Sequence, residues 1–208
     1  MTTILRMILA LDTSTAACTA ALFDGSGACI ARRDEVIGRG HSERLVPMIA
    51  ELLEGRTAKR IIVGVGPGSF TGIRVGIAAA HGLAIGWDAK LSGMSSLALL
   101  AASAKALSEV AVAVIGGHGE LFVQEFGSSG EEISELRNLV PAAAAAVTEV
   151  PLVVGSGARQ LVEARGWGEG REAWPSAANA LRLPENLRVR PPKPVYARAP
   201  DARAKAAA

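Results

Sequence analysis

Aromatic side chains are scarce in this 208-residue sequence: four Phe, three Trp and one Tyr make up 4% of it. A core must then be built from small aliphatic residues in close contact, and the 50% hydrophobic content supplies them. Cysteine is nearly absent. Cys18 and Cys29 are too few for a disulfide framework and lack the spacing of a zinc site, which predicts reduced thiols. The three histidines, His41, His81 and His118, form no i, i+4 pair, and no HExxH helix, CxxC pair or GxSxG elbow occurs. Zinc hydrolysis and serine hydrolysis therefore have no visible residues to work with, and no catalytic residue, metal ligand or cofactor is predicted. No window approaches the roughly 20 apolar residues of a membrane span. The opening MTTILRMILALD has a short apolar run ending in Asp, and it reads as a first strand rather than a signal peptide. A soluble, cytoplasmic protein that makes no membrane contact is expected.

Charge is also nearly balanced, at +2. That is no nucleic-acid footprint in itself. The distribution is uneven, because from Arg182 onward there are seven Lys/Arg against two Asp/Glu. A basic end can be a solvated tail, or it can touch RNA or an acidic partner.

Strands are predicted at 4–12, 18–24 and 28–36, joined by the Asp24-Gly25-Ser26-Gly27 hairpin turn. A helix follows at 42–54, capped at or before Ser42, with Pro47 in its first turn. Then come strand 60–65, helix 71–87, a short strand at 90–93, helix 95–107, and strands 109–115 and 121–126. Residues 128–141 read as loop, 142–146 as a short helix, 150–154 as a strand, 158–165 and 176–182 as helices, and the proline-rich end as extended. A meander followed by alternating helices and strands is the ribonuclease-H-like lobe of the actin class. The expected α/β fold has two lobes with mixed sheets and flanking helices, the second lobe reduced. Their bounds are 1–107 and 108–190, with an extended or disordered tail at 191–208.

Two loops draw attention. Asp12-Thr13-Ser14 ends a buried strand. In this fold class such a turn faces nucleotide phosphates, while an Asx-turn is the structural alternative. Gly66, Gly68, Ser69, Thr71 and Gly72 lie where a hydrophobic strand meets a helix N-terminus, an anion site by geometry or simply a tight turn with a cap. The helix that follows, 71–87, is apolar nearly all round, and a sheet covers only one side. Gly72, Gly76 and Ala80 fall at i, i+4, i+8. With Leu83, and with Leu45 and Ile49 of the preceding helix, they are the expected partner interface. His41 and His118 read as structural or surface residues.

Six segments occur in order from Met7 to about Asp201: ILALDTST, HSERLVPMI, GVGPGSFTGIRVGIAAAHGLA, SGMSSLALLA, VVGSGA and PVYARAPDA. Together they resemble the bacterial TsaB (YeaZ-like) proteins over nearly the whole chain, with GPGSFTGIR after a strand the most specific of them. The resemblance implies a non-catalytic, actin-like subunit that pairs with the catalytic subunit TsaD. With the ATPase TsaE, the pair serves transfer of threonylcarbamoyl from threonylcarbamoyl-AMP to N6 of adenosine 37 in ANN-decoding tRNA. It implies a homodimer when the chain is alone, with tRNA met through the complex. It also implies that Asp12 and the Gly66–Gly72 loop are a vestigial phosphate site. The catalytic relative carries a His-x-x-x-His pair where alignment through Gly93-Met94 places Ser96 and Leu100. Many members read Asp-Ala-Arg where this sequence has Ile115-Gly116-Gly117. The competing readings are an independent actin-like small-molecule kinase or ATPase, disfavoured by the short second lobe, and a peptidase, disfavoured by the missing nucleophile–base pair.

Overall fold

The computed structural model describes residues 7–104 and 108–197. The expected strand start at 4–6, the end of the expected helix 95–107 and the chain from 198 onward lie outside the described residues. Strand β1 (Ile8–Asp12) is apolar up to its last residue, Asp12, because both of its faces are covered. Leu9 and Leu11 face one way and Ala10 the other, as the two-residue period of a strand requires. β2 (Ala17–Phe23) and β3 (Cys29–Val36) complete the expected meander by antiparallel pairing. β4 (Arg60–Gly64) joins β1 in parallel, and β5 (Lys90–Met94) joins β4. The order is β3-β2-β1-β4-β5. The second sheet, β10-β9-β6-β7-β8, repeats the mixed pattern with β6 (Val110–Ile115), β7 (Leu121–Phe126), β8 (Arg137–Leu139), β9 (Leu152–Val154) and β10 (Glu169–Arg171). It is reduced in strand length rather than strand number.

Three apolar clusters stack the molecule in layers. Helices α1 (His41–Leu53) and α2 (Phe70–Trp87) cover the outer face of the first sheet through Leu45, Ile49, Ile73 and Ile77. Helix α3 (Ser96–Ser103) lies between the sheets, packed against Ala10 and Ala21 on one side and Val112 and Phe122 on the other. Helices α4 (Pro141–Ala145) and α5 (Ala158–Arg165) close the far face over Ala111 and Ala113. Alanines in both sheets let these layers approach closely, which is how a core poor in aromatics is filled.

Several local expectations are corrected. Helix α1 is entered from Gly40 in the left-handed conformation, with no side-chain cap, and the Ser42 hydroxyl instead donates to Glu43. Pro47 is the seventh residue of α1, not in its first turn, and it sits on the exposed side. The segment 128–141 contains β8, and β10 follows α5 where no strand was expected. Both are three-residue strands, too short to show a hydrophobic period. Residues 177–182 form a 3-10 helix, and a four-residue helix α6 (Glu185–Arg188) lies in the stretch expected to be extended.

The chain after the second sheet does not stay with it. The 3-10 helix packs on β1, β2 and β3 through Ala177 and Ala180, and the Ala177 amide donates to Thr19 Oγ1 at 2.8 Å. Arg190 bridges Gly93 at the β5 edge, and the Val195 amide donates to the Val65 carbonyl at 2.8 Å. Residues 177–195 therefore return along the first sheet, across the division expected at 190.

Candidate functional site

Asp12 ends β1 with its side chain fully buried. Its Oδ1 accepts from the Ser14 amide and the Ser14 hydroxyl, both at 2.7 Å, which is the Asx-turn geometry. Its Oδ2 accepts from Ser96 Oγ at 2.6 Å, and that hydroxyl in turn accepts from the Gly66 amide at 3.0 Å. Gly64 opposite must be glycine, because a Cβ there would overlap Oδ2. Burial pushes the Asp12 carboxyl above its usual range, against the opposing pull of the Ser96 and Ser14 hydrogen bonds and the more distant His41.

The two candidate loops hold each other. The Ser69 amide donates to the Ser14 carbonyl at 2.7 Å, and Thr13 Oγ1 donates to the Gly72 carbonyl at 2.7 Å. Ser69 caps α2 by accepting from the Gly72 amide at 3.2 Å. The sequence-predicted residues are thus brought together at one point, but Ser14, Gly66, Ser69 and Gly72 have their amides engaged inside the protein. Thr71 is exposed, and Gly68 lies against the Ser14 carbonyl. An anion would have to displace these bonds, each worth about 1 kcal/mol net and more when a partner is left buried and unpaired.

A metal of the kind implied by the His-x-x-x-His relative does not fit. Ser96 is tied to Asp12, and Leu100 is hydrocarbon in the core between the sheets. Among the described residues no group of three or more His, Cys, Asp or Glu could hold a metal ion. His41 is buried with Nε2 unpartnered, and His118 lies at the rim of the cleft between the sheets with φ of 63°.

That cleft measures about 910 Å³. Its floor is the Ser14 and Gly68-Ser69 turn, its far wall is Ile115 to His118 with Ser156, and Phe70, Trp174 and Tyr196 line its mouth. The sequence reading missed the group at this mouth. Arg74 lies with Cζ 3.6 Å from the Phe70 ring centroid, and its Nε donates to the Tyr196 hydroxyl at 3.0 Å. The Phe70 and Tyr196 rings stack at 5.5 Å. The signal was the Pro194-x-Tyr196 pattern at the far end of the chain, 122 positions from Arg74, a distance that no local period spans.

The expected interface residues are placed differently. Leu45, Ile49, Gly72, Gly76 and Ala80 are all buried in the packing of α1 and α2 on the first sheet. A Cβ on Gly76 would lie 2.5 Å from Thr13 Oγ1. Only Leu83 of the six is partly exposed. The small stripe is on the inside because the helix must approach the Thr13 turn closely. The outward face of α2 carries Arg74, Ala78, His81, Gly82, Ile85 and Gly86 instead, and Ile85 is 83% exposed. Beside it, α1 exposes Val46, Pro47 and Ala50.

Two mixed five-stranded sheets with helices between and outside them define the actin-like, two-lobed class. Solved structures share the arrangement. The chain is similar to a Pseudomonas aeruginosa protein described as having similarity to peptidase YEAZ, with 29% identity, a TM-score of 0.78 and coverage of 93% of this chain and 100% of that one. It is also similar to YeaZ from Pseudomonas aeruginosa, with 28% identity, a TM-score of 0.76 and coverage of 92% and 100%. The family model described as TsaD, tRNA N6-adenosine threonylcarbamoyltransferase, matches residues 34–164. The chain belongs to that family, as a bacterial TsaB/YeaZ-like member. Among curated relatives, the tRNA threonylcarbamoyladenosine biosynthesis protein TsaB of Escherichia coli is 37% identical over 128 residues, which are 57% of this chain and 54% of that protein. The TsaB protein of Haemophilus influenzae is 42% identical over 103 residues, 47% of this chain and 42% of that protein. The chain spans about half the length of these curated relatives.

Proposed function

We propose that the chain serves tRNA threonylcarbamoyladenosine biosynthesis as a non-catalytic scaffold subunit. In this reading it pairs with a TsaD catalytic subunit, works beside the ATPase TsaE, and supports transfer of threonylcarbamoyl from threonylcarbamoyl-AMP to N6 of adenosine 37 in ANN-decoding tRNA. The names of the similar proteins support the pathway. One observation carries the scaffold role: the loops that would grip a phosphate are bonded to each other, while α1 and α2 leave an apolar face uncovered. The Asp12, Thr13, Ser14, Gly66, Gly68, Ser69, Thr71 and Gly72 constellation is then a vestigial phosphate site that now braces α2 against β1. The uncovered face, Ala78, Gly82 and Ile85 with Val46 and Ala50, is the pairing surface, used for self-association when the chain is alone. Burying several hundred Å2 of such a face gives several kcal/mol gross at about 25 cal/mol per Å2, before association costs.

Gly82 offers the direct test, because a Cβ there meets nothing within 4 Å. Gly82→Arg should fold with a melting temperature equal to or slightly above that of the wild type, lose heterodimer formation by light scattering, and lose tRNA modification by nucleoside analysis. A folded variant that pairs and supports modification normally would remove this face from the interface. The kinase or ATPase alternative requires that the Ser14–Ser69 and Thr13–Gly72 bonds open for nucleotide. ATP turnover by the chain alone would favour it.

A further inference from the structure

A second concavity, which shares no lining residue with the cleft, lies on the inner face of the first sheet. It is a groove of about 660 Å³ between β3 and the 3-10 helix Ala177–Arg182. Ile30 and Leu181 give it an apolar surface over the buried Phe23, and Arg32 on the strand and Arg182 at the end of the 3-10 helix both line it. No carboxylate lines it. Asp34, two residues along on the face of Arg32, is held instead by the hydroxyls of Thr19 and Ser176. Among the described residues neither guanidinium has an ion-pair partner, and Arg182 meets only the Asn179 side-chain oxygen, at 3.3 Å. Among the described residues Arg44 pairs with Glu35 and Glu51, Arg190 with Glu132 and Arg159 with Glu163, while Arg33, Arg39, Arg60 and Arg137 are as free of ion pairs as Arg32 and Arg182. What sets Arg32 and Arg182 apart is that they line one groove together. Arg182 also opens the basic end of the sequence, whose charge had no assigned role.

We infer that this groove is a direct RNA contact, in which Arg32 and Arg182 hold phosphodiester oxygens and an unstacked base rests on the apolar surface. This deepens the proposed function and rests on its assignment to tRNA modification. Guanidinium forks match phosphate geometry and stack on planar rings, and single-stranded RNA offers both a charged backbone and flat bases that can rest against the guanidinium planes and the exposed Ile30. An acidic peptide would satisfy the charges too, and the polyglutamate arm of the test below separates it from RNA.

Cys29 makes the groove readable in the unmodified chain. It lines the groove and is exposed, whereas Cys18 is buried. The test measures the rate of Cys29 alkylation by a neutral maleimide, with and without a short RNA stem-loop carrying an unpaired loop, and RNA affinity by fluorescence anisotropy at several salt concentrations. RNA should slow the labelling. Arg32→Glu with Arg182→Glu should abolish the protection, weaken binding about tenfold or more, and lower the salt slope by about 1.4 for two single-strand phosphate contacts. Arg159→Glu, which makes the same kind of charge change on α5, should leave Cys29 protection in place. Protection by a polyglutamate peptide but not by RNA would overturn the inference in favour of a protein partner, and no protection by either would overturn it outright. Neither assay needs the catalytic partner, so failure here leaves the pairing test above intact, and failure there leaves this one readable.

Discussion

Helix α2 carries small residues on two opposite faces, and the two faces do opposite things. On the inner face Gly72 and Gly76 are glycine because the Thr13 turn occupies the space a side chain would need. On the outer face Gly82 and Gly86 meet nothing within 4 Å. The inner glycines serve the fold: they let Thr13 Oγ1 reach the Gly72 carbonyl and so tie β1 to α2. The outer ones cost helix stability and make no close contact among the described residues, and it is on this face that the proposed pairing surface lies. A glycine in a helix thus says that something comes close, and only its neighbours say whether that something is in the same chain.

The sharpest way to break this comparison is at the inner face. Gly72→Ala places a Cβ onto the Thr13 carbonyl oxygen, which is backbone and cannot turn away. Overpacking of this kind costs about 1–3 kcal/mol and more where backbone must move, a large part of a typical stability of about 5–15 kcal/mol. The variant should have a strongly lowered urea midpoint or fail to accumulate as folded protein. Wild-type stability would mean that α2 does not lie against the turn.

Much of this architecture was legible beforehand. The meander, the first parallel pair and α2 follow from residues 8–87, where apolar runs are long and turns are marked by glycine, and three of the six family segments lie in the same stretch. The Asp12 and Gly66–Gly72 loops adjoin, because each follows a buried parallel strand and β1 and β4 are neighbours. What the sequence could not settle was direction. A stripe at i, i+4, i+8 is as regular on the buried side of α2 as on the exposed side. Because the helix is apolar nearly all round, the polar residues that would normally mark the outer face reduce to Arg74 and His81. The return of residues 177–195 to the first sheet was illegible for another reason: its bonds, such as Ala177 to Thr19, join residues 158 positions apart.

A middling effect is expected at the braced turn. The Asp12 carboxyl is raised above its unfolded value by burial, so its charged form is disfavoured in the folded chain. The contribution of this group to stability is fully present below the unfolded pKa and is lost as pH rises through the folded value. Asp12→Asn keeps an acceptor for the Ser14 amide and hydroxyl but removes the buried charge. Its stability relative to wild type should therefore improve steadily as pH rises from about 4. Urea midpoints across that range check this. A mutant curve parallel to wild type would mean that Asp12 is no strained charge and that its bonds to Ser14 and Ser96 fully compensate burial.

The smallest effect belongs to the outer face, and its sign is what matters. Gly82 lies within the helical run of α2 with open space where a Cβ would go. Replacing it with alanine removes backbone freedom from the unfolded chain and adds no clash, which stabilises a helix by about 0.4–1 kcal/mol. Gly82→Ala should thus raise the urea midpoint slightly, while Gly72→Ala in the first turn of the same helix lowers it sharply. Measured on dilute protein, where self-association does not add to the midpoint, the pair reads each face independently of any partner. If Gly82→Ala were destabilising to a similar degree, the outer face would already be covered by something within the folded chain, and the pairing surface would have to be sought elsewhere.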